Sequence, residues 1–302
     1  MENIYLFGMI LASNSFRFKE FVKTDEYSEI EESFRFPGGE TGACATILSS
    51  LGMNVILDGN HIGRTVAPLI KEFYQNRTVN CDLLYFDEGY EGLEDYILIS
   101  GDIRTPFGTF GHYFESAKNG GIRHWNKPDE KAISKCDVAA IDPFFMEESE
   151  LATEYCVKHG KPYVTIDCLH DSAIHKNAAV SVISGEFIRS AYANKSHEDL
   201  LSLFCENSNG LTIITNGGKE FLYGRNGSEI KSFRPFQVDV KSTLGAGDSF
   251  KAGCTYALAM GMGDDNLVEF ASACAATAIS RYPMQLYPPT LREIKEMIKS
   301  RK

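Results

Sequence analysis

Short apolar runs alternate with longer segments of helical spacing along most of this chain. Residues 5–10, 54–57, 138–141, 163–166, 180–183 and 211–215 read as strands. Helical spacing covers 41–51, 66–75, 147–159, 197–206, 248–259 and 266–281, with a further helix over 290–300. Strands that are apolar throughout are buried on both faces. The pattern therefore predicts an α/β fold, with a mostly parallel central sheet flanked by helices.

Two stretches break this rhythm. Residues 16–36 and 96–114 alternate aromatic or apolar with charged positions, and the second carries Gly101, Pro106 and Gly108 as punctuation. A period of two predicts half-buried antiparallel strands. We expect these segments, approximately 12–36 and 95–115, to form a small β-sheet lid; surface hairpins without a role in closure are the alternative. No repeat, low-complexity tract or linker interrupts the chain, so residues 1–302 read as a single domain.

Composition narrows the function. Hydrophobic residues make up 43% and charged residues 24% of the 302 positions, enough to bury a core and shape a pocket. The formal charge is −11, from 41 carboxylates against 30 Lys plus Arg. Such a surface argues against nucleic acid or an anionic membrane as the main partner. The eight cysteines form no CxxC pair and read as reduced core thiols. The His and Cys positions lack ligand spacing, so no protein metal site is expected. The apolar run after Met1-Glu2-Asn3 has no basic leader, and no stretch approaches the ~20 apolar residues of a membrane span. A soluble cytoplasmic protein is the expectation.

The segment richest in chemistry begins with 236–240, which reads as a strand. Lys241-Ser242-Thr243-Leu244-Gly245-Ala246-Gly247-Asp248 then leads into an alanine-rich helix. Small residues at a helix start leave backbone N–H groups uncovered at the positive end of the dipole, suited to an anion such as phosphate. Asp248 falls in the first turn, where the dipole favours its ionised form. It can accept a proton from a hydroxyl attacking phosphorus. From spacing alone, an ordinary helix N-terminus with Asp in a favoured place explains the run equally well.

The run Ser242-Thr243-Leu244-Gly245-Ala246-Gly247-Asp248 resembles the C-terminal signature of the ribokinase-like (PfkB) carbohydrate kinases. Pro37-Gly38-Gly39-Glu40-Thr41-Gly42-Ala43 looks like that family's N-terminal glycine motif. Asp58-Gly59-Asn60-His61-Ile62-Gly63 is similar to the turn that follows it. Ile214-Thr215-Asn216-Gly217 resembles a nucleotide-side strand end, and 271–280 resembles the helix beside the adenine. The order of these pieces fits along nearly the whole chain.

The resemblance implies a Rossmann-type parallel sheet with a β lid, and ATP-dependent phosphoryl transfer to a sugar or sugar derivative. Asp248 would be the general base, and Gly245, Ala246 and Gly247 the anion hole. Thr215, Gly217, Thr243, Ala275 and Thr277 would border ATP, which would bring Mg²⁺ held mainly by phosphates and water. Gly38 and Gly39 would let the backbone approach the acceptor, with Ser13, Asn14, Glu40, Asn60 and Arg104 as further acceptor contacts.

The chain departs from the family pattern in several places. Ser13 and Ser242 stand where the family has Asp, and Ala43 where it has Asn. Ser184 and Phe187 replace an Asn and a Glu near the magnesium waters, and Glu220 stands where a glycine is common. Loss of the carboxylate at Ser13 weighs against an ordinary ribose or fructose acceptor, and Arg104 raises an anionic acceptor, with a solvated lid arginine the alternative. A nucleoside acceptor, or a nucleotide-binding protein without turnover, are the other readings. A homodimer through exposed lid edges is a further expectation. A nicotinamide-dependent dehydrogenase is excluded, because the first strand lacks the Gly-x-Gly-x-x-Gly turn.

Overall fold

The computed structural model describes residues 2–21, 23–101, 103–193 and 195–301; positions 22 and 102, inside the two lid segments, lie outside it. Its main sheet has nine strands, in the order β15 (Lys231–Phe233), β14 (Phe221–Gly224), β13 (Leu211–Ile214), β12 (Val180–Ile183), β11 (Tyr163–Ile166), β10 (Val138–Ile141), β1 (Asn3–Gly8), β4 (Asn54–Gly59), β6 (Val79–Asn80). From β6 to β13 all neighbours are parallel; β14 and β15 add an antiparallel edge. The chain leaves β1 toward β4 on one side and later returns to build β10 on the other. Strand order thus reverses between β1 and β10, the place where open α/β sheets leave a crevice at their carboxyl ends.

Alternation along β1 feeds two cores. Ile4 and Leu6 pack with α1 (Gly39–Ser50), α2 (Ala67–Tyr74), α9 (Ala246–Ala259), α10 (Asp264–Ile279) and α11 (Leu291–Ser300). Tyr5 and Phe7 pack on the opposite face with α3 (Phe110–Lys118), α4 (Glu130–Lys135), α5 (Glu147–Lys158), α6 (Ala173–Lys176), α7 (Gly185–Ala191) and α8 (His197–Glu206). The four strands β10 to β13 are buried at every position, as uninterrupted apolar runs require. Cys81 is half-buried and the other cysteines are buried as free thiols. Among the described residues no helix is long and apolar enough to cross a membrane.

A second sheet has the order β3 (Glu32–Gly38), β2 (Leu11–Arg17), β8 (Glu94–Ser100), β9 (Ile103–Gly108). The two hairpins, β2–β3 and β8–β9, are antiparallel, as their period-two pattern implies, but they join through a parallel β2–β8 pair. A short pair, β5 (Ile62–Gly63) with β7 (Phe86–Asp87), completes the strands.

Three expectations need correction. The first alternating stretch is strand only at its ends, since β2 stops at Arg17 and β3 begins at Glu32, and the described residues between them are irregular. The second alternating stretch ends as a strand at Gly108, because Phe110, Tyr113, Phe114 and Ala117 also satisfy helical spacing and form α3. Residues 236–240 are irregular instead of a strand. Pro235 follows the edge strand β15 and has no N–H for a ladder. The extended chain is held instead by Arg301, whose guanidinium lies 4.4 Å from the Phe233 ring and 4.8 Å from that of Phe236.

Candidate active site

The crevice between β1 and β10 is organised by Asp142, which follows β10 and is fully buried. One of its oxygens pairs with Lys251, also at zero exposure, one helical turn after Asp248 on α9. The other accepts the Thr41 hydroxyl at 2.7 Å and the Met9 amide at 3.2 Å. One carboxylate therefore ties together the end of β1, the start of α1 and the first turns of α9. Gly8 admits this arrangement, since a Cβ there would lie 1.9 Å from Asp142 Oδ2. Lys251 was not singled out, although a lysine one turn beyond Asp248 in an otherwise small, apolar helix is a visible signal.

The start of α9 is shaped by Gly245, whose φ of +74° places it in the left-handed region open to glycine. Ser249 returns its hydroxyl to the Gly245 carbonyl at 2.6 Å. Ser242 receives the Leu244 amide on its hydroxyl at 3.2 Å, a local side-chain turn that leads into the helix start. Among the described residues, the Gly247 and Asp248 amides have no protein acceptor. Uncovered donors at the positive end of a helix are suited to an anion.

Asp248 itself is half-buried. Burial pushes its carboxyl above the ordinary range; Lys251 opposes this, Asp142 adds to it, Arg104 opposes it and Asp167 adds to it. Desolvation thus raises the carboxyl, while the helix start and Lys251 favour its ionised form. Glu40, in the first turn of α1, is pushed further in the same direction by burial, then by Asp248 and Asp142. Repulsion between the carboxyls at the starts of α1 and α9 thus adds to burial at Glu40.

The lid supplies the opposite wall. Ser13 on β2 stands opposite Asp95 on β8 in the parallel register. Burial raises the Asp95 carboxyl to about 6, against a lowering by the Ser13 hydroxyl. Asp95 Oδ1 is buried with no hydrogen-bond partner among the described residues. A carboxylate thus stands beside Ser13 on the neighbouring strand, which strand spacing alone cannot reveal. Asn14 donates to Glu94 at 3.0 Å and to the Asp95 carbonyl at 3.2 Å. Arg104 on β9 bears on Asp248 and lies 4.0 Å from Glu186.

Other sequence-derived positions sit differently. Asn60 is spent on the chain: its Oδ1 accepts the Ile10 amide at 2.7 Å, and its Nδ2 donates to the Ile10 carbonyl at 2.8 Å and the His61 carbonyl at 3.0 Å. It braces the root of the lid and offers the cleft nothing. The glycine pair also serves the chain first, since a Cβ would lie 1.9 Å from Ser13 Oγ at Gly38 and 2.4 Å from the Met9 carbonyl at Gly39. Ala43 is in the core.

Thr215 follows β13, and Gly217 turns with φ +59° in open space. Thr243 and Ala275 are half-buried. Thr277 is turned into the core, its hydroxyl donating to the Ala273 carbonyl at 2.8 Å, so it presents no hydroxyl to a base. Ser184 caps α7 and donates its amide and hydroxyl to Asp167, at 2.7 and 2.9 Å. Asp167 has φ +48°, a strained conformation for a non-glycine and a common mark of a functional edge.

A Rossmann-type sheet, a glycine-rich helix start over its switch point and a β lid opposite define a protein of the ribokinase fold. The family model described as "pfkB family carbohydrate kinase" matches residues 14–291, and the chain belongs to that family. The structure is similar to ribokinase from Thermotoga maritima, with TM-score 0.76, 19% identity and coverage of 99% and 100% of the two chains. It is also similar to Arabidopsis thaliana ribokinase complexed with ribose and ATP, with TM-score 0.80, 13% identity and 99% of each chain covered. At these identities the likeness establishes the fold. In sequence, 104 residues are 27% identical to 5-dehydro-2-deoxygluconokinase of Bacillus licheniformis, over 34% of this chain and 32% of that one. The match thus spans about a third of the curated relative's length.

Proposed function

We propose that this chain transfers the γ-phosphoryl group of ATP to a hydroxyl of a sugar or sugar derivative, with Asp248 taking the hydroxyl proton. The observation that carries this reading is Asp248 at the crevice, beside two helix-end amides without protein acceptors and opposite a lid carboxylate. The acceptor oxygen forms its bond to the γ-phosphorus as the bond to the β–γ bridging oxygen breaks and ADP leaves, and the hydroxyl proton passes to Asp248. The Gly247 and Asp248 amides face the charge that gathers on the transferring group. Burial raises the basicity of Asp248, and the Lys251–Asp142 pair anchors the helix that presents it.

The amides at the α9 start and the open turn at Gly217 fit a polyphosphate, with Thr215, Thr243 and Ala275 along its path. Mg²⁺ would arrive with ATP and neutralise phosphate charge, with Asp167 the carboxylate on that side. Asp95 takes up an acceptor hydroxyl in the role that Ser13 cannot fill. Arg104 supports an acid function on the acceptor, and the gluconate in the name of the partly matching Bacillus relatives points the same way.

The test is ATP consumption measured across neutral sugars, amino sugars, sugar acids and nucleosides. Turnover with a sugar or sugar acid is expected, and Asp248→Asn should lower kcat by roughly 10²–10⁴. An unchanged rate in that variant would remove the proposed base. Nucleotide binding by calorimetry with no ADP formed from any acceptor would instead favour a binding protein. Loss confined to acid acceptors in Arg104→Ala would assign the charged end.

A further inference from the structure

Away from the cleft, His61, Asp87 and His124 converge although they are far apart in sequence. Their ligand atoms all lie within 4.8 Å of one another. Asp87 Oδ2 is 3.6 Å from His61 Nδ1 and 3.9 Å from His124 Nδ1. These separations are too long for hydrogen bonds. Both Nδ1 atoms are nevertheless buried with no hydrogen-bond partner among the described residues. Two orphaned imidazole nitrogens facing one carboxylate oxygen need an explanation.

We propose that His61, Asp87 and His124 form a binding site for a divalent transition-metal ion of the zinc class. Two ligands at about 2.1 Å from a tetrahedral centre stand about 3.4 Å apart, close to the separations between Asp87 and the histidines. Imidazole nitrogens with a single carboxylate select zinc-like ions over Mg²⁺ or Ca²⁺, which prefer all-oxygen shells.

The backbone sets the spacing. His61 directly precedes β5, which pairs with β7, where Asp87 sits. The His61 amide donates to the His124 carbonyl at 2.8 Å, and Asn60 bridges Trp125.

The surroundings orient each ligand. His61 Nε2 lies 3.0 Å from Asn126 Oδ1, which holds the ε-protonated tautomer and leaves the Nδ1 lone pair free. Asp87 Oδ1 accepts the Gly89 amide at 2.9 Å, turning Oδ2 toward the histidines. The His124 ring stacks on Tyr90 at 3.9 Å. The three side chains remain 13–24% exposed, so the ion can enter and solvent can complete its shell. A bound ion would lock β5, β7 and the Trp125 segment together beside Asn60, at the root of the lid.

The test titrates Zn²⁺ alone into the full chain, with Mg²⁺ as control, by calorimetry and thermal melting; Co²⁺ absorption reports coordination. One Zn²⁺ should bind per chain and raise Tm, while Mg²⁺ does neither. His124→Phe keeps the ring stack and removes a ligand, and Asp87→Asn keeps the Gly89 contact. Each should weaken binding by at least 10–100-fold, the range seen when an outer partner alone is lost. Asn126→Ala should weaken it about 10–100-fold, and His112→Ala should leave it unchanged. Failure of the wild-type chain to bind Zn²⁺ overturns the site. So does undiminished binding in both Asp87→Asn and Asn126→Ala, which remain informative if His124→Phe does not fold.

Discussion

The floor and the lid of the cleft hold their polar groups in opposite ways. On the floor, Lys251 and Asp142 are both fully buried, and Asp142 is satisfied on both oxygens by α9, α1 and the end of β1. In the lid, β9 is exposed along its whole length, and polar groups are brought to the cleft by strand register. Asp95 retains a buried oxygen without a partner. In a fully desolvated pair such as Lys251–Asp142, losing one partner strands the other, so the arrangement resists change. Where groups are placed by register, a carboxylate can move from Ser13 to the opposing Asp95 without disturbing the backbone. The floor is suited to a constant phosphoryl-transfer step, and the lid to a variable acceptor.

The sharpest way to break this contrast is Lys251→Met. It leaves Asp142 buried and unpaired, and should destabilise the fold by about 3–5 kcal/mol, read from denaturant melts. A loss below 1 kcal/mol would show the floor to be as permissive as the lid. Asp95→Asn should act on the acceptor, lowering kcat/KM by about 1–3 kcal/mol of binding. The melting curve near neutral pH should not be lowered. A large loss of stability would make Asp95 part of the scaffold.

Glu40→Gln should have the smallest effect, and a favourable one. Folded Glu40 holds a proton that the unfolded chain has already released, so its contribution to stability is present below 4.5 and is lost as pH rises toward about 8. Gln removes that loss. At pH 8 the variant should gain roughly 1–2 kcal/mol, discounted for the half-open position, and little at pH 4. A variant less stable than wild type at pH 8 would overturn the direction.

Much of the architecture was legible because burial leaves a local trace. The apolar runs at 138–141, 163–166 and 180–183 match β10, β11 and β12 at both ends, and the 197–206 helix matches α8. The 236–240 segment misled because alternation records only exposure, and Pro235, just after the edge strand β15, brings no N–H to a ladder. At the site, the small residues before Asp248 announced a helix start with uncovered amides. Nothing local distinguished Thr277, whose hydroxyl turns back to its own helix, from a residue that meets a ligand. Nor did any spacing announce Asn60 as a brace.

By itself, the sequence determined the layered α/β plan, the two lid segments and the Gly245–Asp248 helix start, because hydrophobic period and backbone sterics act over a few neighbouring residues. The tertiary structure alone decided that Asp142 would meet Lys251, that Asp95 would face Ser13, and that His61, Asp87 and His124 would converge. Those meetings depend on which strands lie side by side and in what register, and on a desolvation that exists only once distant segments exclude water together.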